Sequence, residues 1–161
     1  MSPHQRDYFA ELYIAGLMGD NGWSVYFPKR DVGFDFIATK TVFIATKTVV
    51  SGVLIRPVQV KGLYPSEAKK DKTGYGYIGM LSQLHDDMAL VLPYFPTDRA
   101  GPAPVCIAFM PRSEVRIQKG RGYKCFPAKF LSGRAEPRET FRRFFDLDGL
   151  RNMDLPNWGK V

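Results

Sequence analysis

The sequence predicts an α/β (α+β) fold, a small mixed β-sheet flanked by helices, and three observations predict it. The chain opens on a helix-like stretch with a serine-proline start; residues 34 to 61 are rich in Phe, Ile, Val and Thr; and two later apolar runs, 88 to 94 and 105 to 110, are separated by a Pro/Gly connection. At 161 residues and 45% apolar composition the chain can bury one core and is too short for two comfortable domains. The expected organisation is a core domain over residues 1–110 and a basic C-terminal extension over 111–161 packed on the same domain.

Element by element, Ser2-Pro3-His4-Gln5 offers a cap, a first-turn proline and a glutamine at the third position. Phe9, Leu12, Tyr13, Gly16 and Leu17 follow helical spacing, and Gly22 supplies a left-handed stop. Trp23, Val25 and Phe27 alternate as one side of a strand, and residues 28 to 33 read as a loop. The strand-rich region holds an identical tandem repeat, FIATKTV at 36–42 and again at 43–49. Seven is odd, so one straight strand would flip equivalent side chains between copies. A turn or bulge must therefore reset the register, or copy two is an insertion at a hairpin end.

Ser51-Gly52 reads as a turn, and residues 53 to 61 as the next strand, with Gln59 and Lys61 on one face and Val58 and Val60 on the other. Pro57 cannot donate to a ladder, which predicts an edge position or a bulge. Residues 62 to 79 read as a Gly-rich polar loop entering a short helix through Ile78, Leu81 and His85, and 123–126 as one more strand. Phe141, Phe144 and Phe145 are expected to pack a terminal helix or turn.

Charge narrows the partners. The formal net charge is +7; residues 1–110 carry eleven Lys or Arg against ten acids and 111–161 carry twelve against six, so the excess is C-terminal. Such a field suits a polyanion. Lys69, Lys70, Lys72, Arg112, Arg116, Lys119 and Arg121, with Lys61 and Lys124, are the candidate phosphate contacts. Tyr64, Tyr75 and Tyr77 either stack on unpaired bases or pack their loop onto the domain. Cys106 and Cys125 lack C-x-x-C spacing, no apolar run reaches membrane-spanning length and no leader pattern opens the chain, which together predict a cytoplasmic protein with structural thiols.

Four polar residues threaded through apolar segments carry the chemistry: Glu11 in the opening helix, Asp35 at a strand start, and Gln59 and Lys61 in the run V58-Q-V-K61. Carboxylates and carbonyl oxygens hold hard cations, and a nearby ammonium orients water or offsets phosphate charge. Neither His4 nor His85 has zinc-ligand spacing with the cysteines; His85 beside Asp86 and Asp87 reads as a helix-end residue.

On A10-E11-L12, G33-F-D35-F-I and Q59-V-K61, the chain resembles the PD-(D/E)XK restriction-endonuclease-like nucleases, in particular Holliday junction resolvase-like and intron-encoded endonuclease-like members with a QxK third motif, over about residues 5 to 94. No proline precedes Asp35, and Gln59 stands where an acid is commoner. The resemblance implies a restriction-endonuclease-like core and a metal-dependent DNA endonuclease. It assigns Asp35, Glu11, Gln59 and the Val60 carbonyl to Mg²⁺ (or Mn²⁺), and Lys61 to water and phosphate. It also implies duplex or branched DNA as partner and a homodimer. The alternatives are a non-catalytic nucleic-acid-binding module of the same fold and a basic protein-interaction module.

Overall fold

The computed structural model of the protein describes residues 3–45, 49–68, 74–120 and 122–159. Helix α1 (Pro3–Asp20) ends as the sequence predicts. Gly22 takes φ +88°, its N–H donates to the Gly19 carbonyl, and the Trp23 N–H donates to the Met18 carbonyl, the paired bonds of a left-handed helix stop. Ala10, Ile14 and Met18, four residues apart, form the buried stripe, with Phe9, Tyr13 and Leu17 beside it. Leu12, expected on that stripe, is exposed.

Strands β1 (Ser24–Tyr26), β2 (Phe36–Ala45), β3 (Val49–Val60), β5 (Ala89–Tyr94) and β6 (Cys106–Pro111) build a mixed sheet in the order β1-β2-β3-β5-β6, with β3 and β5 parallel. Strand β4 (Tyr75–Gly79) belongs to a second, antiparallel sheet with β7 (Arg116–Gln118), β8 (Gly122–Leu131) and β9 (Arg134–Pro137), in the order β4-β8-β7 with β9 on β8. The architecture is α+β. The first sheet buries one face under α1 through Phe36, Ala38, Val58, Val60, Ala89 and Val91. Its other face, through Leu90, Leu92, Tyr94, Ala108 and Met110, meets Tyr75, Cys125, Ala128 and Ala135 of the second sheet.

Several expectations are corrected. Ser51 and Gly52, read as a turn, lie inside β3 opposite Phe43 and Val42, because the hairpin continues past them. The helix read through Ile78, Leu81 and His85 is instead β4 followed by bends, because β8 offers a ladder to Tyr77-Ile78-Gly79 that no local spacing reveals. His85 accordingly holds a turn: its carbonyl accepts from the Met88 N–H and its Nδ1 from the Asp87 N–H. Pro57 lies in an interior strand without a bulge. The Val58 carbonyl accepts from the Asp35 N–H, so the main-chain groups of Val58 face β2 and those of Pro57 face the other way. There β5 pairs only with residues 58–60, and no donor is needed at 57.

The β2–β3 hairpin resolves the repeat. Copy one pairs with residues 52 to 58, whereas in copy two Phe43 lies opposite Ser51, Ile44 opposite Val50 and Ala45 opposite Val49, and residues 46–48 lie outside the described residues. The C-terminal segment closes the first core through Leu150 of short helix α2 (Asp146–Asn152) and through Met153 and Trp158 after it. Buried Arg56 binds this segment, donating to the Met153 and Leu155 carbonyls at 3.1 and 3.0 Å with Trp158 against its guanidinium. Lys40 adds an ion pair to Asp154 at 2.7 Å. Among the described residues, no helix is long and apolar enough to cross a membrane.

Candidate functional site

The end of β3 gathers the polar residues. The Asp35 N–H bonds the Val58 carbonyl at 2.9 Å and its Oδ2 accepts from the Val60 N–H at 2.6 Å, so the carboxylate lies against the last turn of the ladder. The preceding loop fixes this approach. Gly33 has φ +84°, its N–H is held by the Asp31 carboxylate, and a Cβ there would lie 2.1 Å from Gln83 Cγ. Only glycine fits a backbone so close to the 80–85 segment.

Period-two alternation puts Gln59 and Lys61 on the face opposite Val58 and Val60, the face turned toward the second sheet. Gln59 is 94% buried, since only 6% of it is exposed, and its Oε1 has no hydrogen-bond partner. An orphaned buried carbonyl oxygen costs about 1–3 kcal/mol, which a ligand would offset. Lys61 is half-buried; its N–H continues the ladder to the Val91 carbonyl and its Nζ lies 5.8 Å from the centre of the Tyr77 ring. The Tyr77 hydroxyl is itself anchored on the Met80 carbonyl at 2.9 Å.

Helix α1 delivers Glu11. Gly62 follows Lys61, and a Cβ there would be 3.1 Å from Ala10 Cβ and 3.3 Å from Phe95, so the missing side chain lets the helix approach the strand end at the residue before Glu11. Burial, then Asp35 and Asp7, push the Glu11 carboxyl up to about 7, against the opposing pull of Lys61. Burial likewise raises Asp35, although the Val60 N–H and Lys61 lower it. Four charged groups, Asp7, Glu11, Asp35 and Lys61, therefore share one electrostatic neighbourhood with acids in excess.

Glu11, Asp35 and Lys61 come together here, with Gln59 and the Val60 backbone on the same strand end. The oxygens at this strand end, two carboxylates, the orphaned Gln59 amide oxygen and the Val60 carbonyl, are hard, a chemistry that suits Mg²⁺ or Mn²⁺ better than a soft metal. Among the described residues no group of three or more His, Cys, Asp or Glu converges. Two contributors escaped the sequence reading. Asp7 lies one turn before Glu11, and an i,i+4 pair of acids on a helix is a legible cost; Tyr77 as the neighbour of Lys61 has no local signature.

The candidate phosphate contacts are scattered. Arg116 and Lys119 are exposed on and after β7, Arg112 donates to the Val115 carbonyl, and Lys69, Lys70, Lys72 and Arg121 lie outside the described residues. Tyr64 and Tyr75 are core residues: the Tyr94 hydroxyl bonds the Tyr75 carbonyl, the Tyr75 hydroxyl bonds the Tyr64 carbonyl, and the Tyr64 hydroxyl bonds the Arg6 carbonyl. No protein-family model, no curated protein and no solved structure matches this chain.

Proposed function

We propose that the chain is a metal-dependent DNA endonuclease of restriction-endonuclease-like fold that hydrolyses phosphodiester bonds with Mg²⁺ or Mn²⁺. The observation that carries the reading is the approach of the Glu11 carboxyl to Asp35, which pushes Glu11 up, with Lys61 within electrostatic reach of both at the end of β3. The unpartnered Gln59 oxygen on the same strand supports it. A folded protein does not keep such groups together without cost, and a divalent cation is the species that relieves it.

In this reading Asp35, Glu11, Gln59 and the Val60 carbonyl hold the cation, which when bound polarises phosphoryl oxygens and acidifies water. Lys61 sets an ammonium where it orients the attacking water and offsets phosphate charge. The Tyr77 ring limits where that ammonium can swing. Glu11 gives up its proton as a cation enters, so metal affinity rises with pH through about 7.

The test is a cleavage assay on linear duplex, single-stranded, flapped and four-way DNA in Mg²⁺ and Mn²⁺, with Asp35→Ala alongside. Cleavage should depend on the metal and fall at least about a thousandfold in Asp35→Ala, as loss of several kcal/mol of charge stabilisation requires. No cutting of any substrate, or equal cutting by the variant, overturns the reading. A non-catalytic nucleic-acid-binding module then takes its place; in its favour, one Asp35 oxygen is already engaged by the Val60 N–H.

A further inference from the structure

The second sheet has an outer face of its own chemistry. On β8, Cys125 points inward with Tyr77 and is buried in the second core, so Lys124 points outward, directly opposite Arg116 on β7. Like charges facing each other across a ladder destabilise it. Neither Arg116 nor Lys124 is in an ion pair among the described residues. Both line a 480 Å³ cleft together with Arg138 and a single acid, Glu114, which leaves three cations against one anion.

Arg138 is not a free surface cation. Its main-chain N–H donates to the Pro127 carbonyl, its Nη1 donates to the Phe126 carbonyl at 3.0 Å, and its guanidinium lies over the Phe141 ring at 5.4 Å. The stack offers a flat platform at the wall of the cleft, and Phe126 and the Thr140 residue line it as well. A volume of 480 Å³ exceeds what a bare phosphate fills and falls within the range of about 300–1,000 Å³ typical of small-ligand sites.

We propose that this cleft is a nucleotide-binding site, in which Arg116 and Lys124 hold a phosphate while the base lies on the aromatic and guanidinium surfaces of Phe126, Phe141 and Arg138. Phosphate neutralisation beside stacking platforms is how single nucleic-acid strands are held without sequence readout. The site stands apart from the metal-centre reading, because Tyr77 beside Lys61 and Lys124 in the cleft occupy opposite faces of the same sheet.

Isothermal titration calorimetry on the full chain in EDTA tests it, with inorganic phosphate, thymidine 5′-monophosphate and an eight-residue oligodeoxythymidine as probes. The monophosphate should bind at least about tenfold more tightly than inorganic phosphate, as stacking of one base requires. The double variant Arg116→Gln/Lys124→Gln should weaken monophosphate binding about tenfold or more without lowering the melting temperature, since it removes a repulsive pair. Asp35→Ala should change neither. Binding of the monophosphate, weakened by the double variant, assigns the site to a single nucleotide; binding of the oligonucleotide alone overturns the nucleotide site in favour of a surface that needs an extended strand. Equal affinity for phosphate and monophosphate overturns the proposal, as does unchanged binding in the double variant or loss of binding in Asp35→Ala. Failure of DNA cleavage leaves every one of these outcomes readable.

Discussion

The end of β3 and the outer face of the second sheet are built on the same awkward device with opposite signs. At the first, Asp35 and Asp7 raise the proton affinity of Glu11, and Asp7 raises that of Asp35, against the opposing pull of Lys61. At the second, Arg116 faces Lys124 across a ladder with Arg138 in the same cleft. Local burial decides how each is tolerated. Glu11 and Asp35 are partly desolvated, which raises their hold on protons, whereas Arg116 is exposed to water. Like charge held together teaches more about a missing ligand than net charge does, because net charge can be dispersed and a fixed juxtaposition cannot.

The sharpest way to break that comparison is at Lys61, whose charge acts on both Glu11 and Asp35. Lys61→Ala should lower DNA cleavage by about 10²–10⁴-fold, the range for a group that handles protons or charge in the transition state. It should not weaken metal binding, since a repelling charge has been removed. Single-turnover cleavage measured beside metal-induced thermal shifts separates the two. A parallel loss of both would mean that Lys61 builds the site rather than acts in it.

A second prediction concerns the attachment of the C-terminal segment to β3. Arg56 is 3% exposed and serves the Met153 and Leu155 carbonyls, so Arg56→Ala orphans two buried acceptors as well as the Trp158 face. The expected loss is about 3 kcal/mol in urea unfolding, in the range for breaking a buried charged network. A loss below about 1 kcal/mol would mean that the C-terminal segment is held by its apolar residues alone.

Arg56 also marks the limit of what the sequence makes legible. Glu11, Asp35, Gln59 and Lys61 stand out because a polar residue inside an apolar segment is expensive wherever the chain goes. Arg56 sits in the same kind of segment, yet its carbonyl partners are almost one hundred residues away and its ion-pair partner Asp87 about thirty, and nothing near it says that it is buried rather than solvated. The helix stop at Gly22 was readable because all its hydrogen bonds are local. β4 was not, since Ile78, Leu81 and His85 have helical spacing and the strand exists only through β8, some forty-five residues on. Gly62 was missed for the same reason: its role is set by Ala10 of α1.

Smaller effects come from titration. Glu11 is pushed up to about 7, so between its ordinary range near 4.5 and 7 the folded state binds more protons than the unfolded state, and stability falls as pH rises through that window. Above 7 the full cost is present. Glu11→Gln should therefore melt above the parent at pH 8, by about 1 kcal/mol or some 3 °C once the shift is discounted for solvent screening at a half-exposed group, with the gap closing by pH 4.5. Mg²⁺ at ten times its dissociation constant should raise the parent at pH 8 by about 1.4 kcal/mol and Asp35→Ala hardly at all. Unchanged melting in Glu11→Gln at both pH values would remove the acid half of the comparison.

The smallest expected effect is at the tandem repeat, which neither charged region needs. Copy two extends the β2–β3 hairpin past the point where β5 pairs with residues 58–60, and the described part of its ladder is Phe43 opposite Ser51, Ile44 opposite Val50 and Ala45 opposite Val49. A two-stranded projection contributes little stability by itself. Deleting residues 43 to 49 preserves the pair Val42–Gly52 and closes it with Val50-Ser51 as a two-residue loop. Such loops favour residues that accept positive φ at both positions, and a valine resists it, so the bare deletion should lose about 1 kcal/mol in urea unfolding. Adding Val50→Asn and Ser51→Gly to the deletion should recover most of that loss, because Asn-Gly suits the turn. DNA cleavage and nucleotide binding should stay within twofold of the parent in the rescued form. An insoluble rescued variant, or one that loses more than about 3 kcal/mol, would mean that copy two contributes packing comparable to large core side chains. The β-arm would then join the two charged regions as a third part of the molecule that the fold depends on.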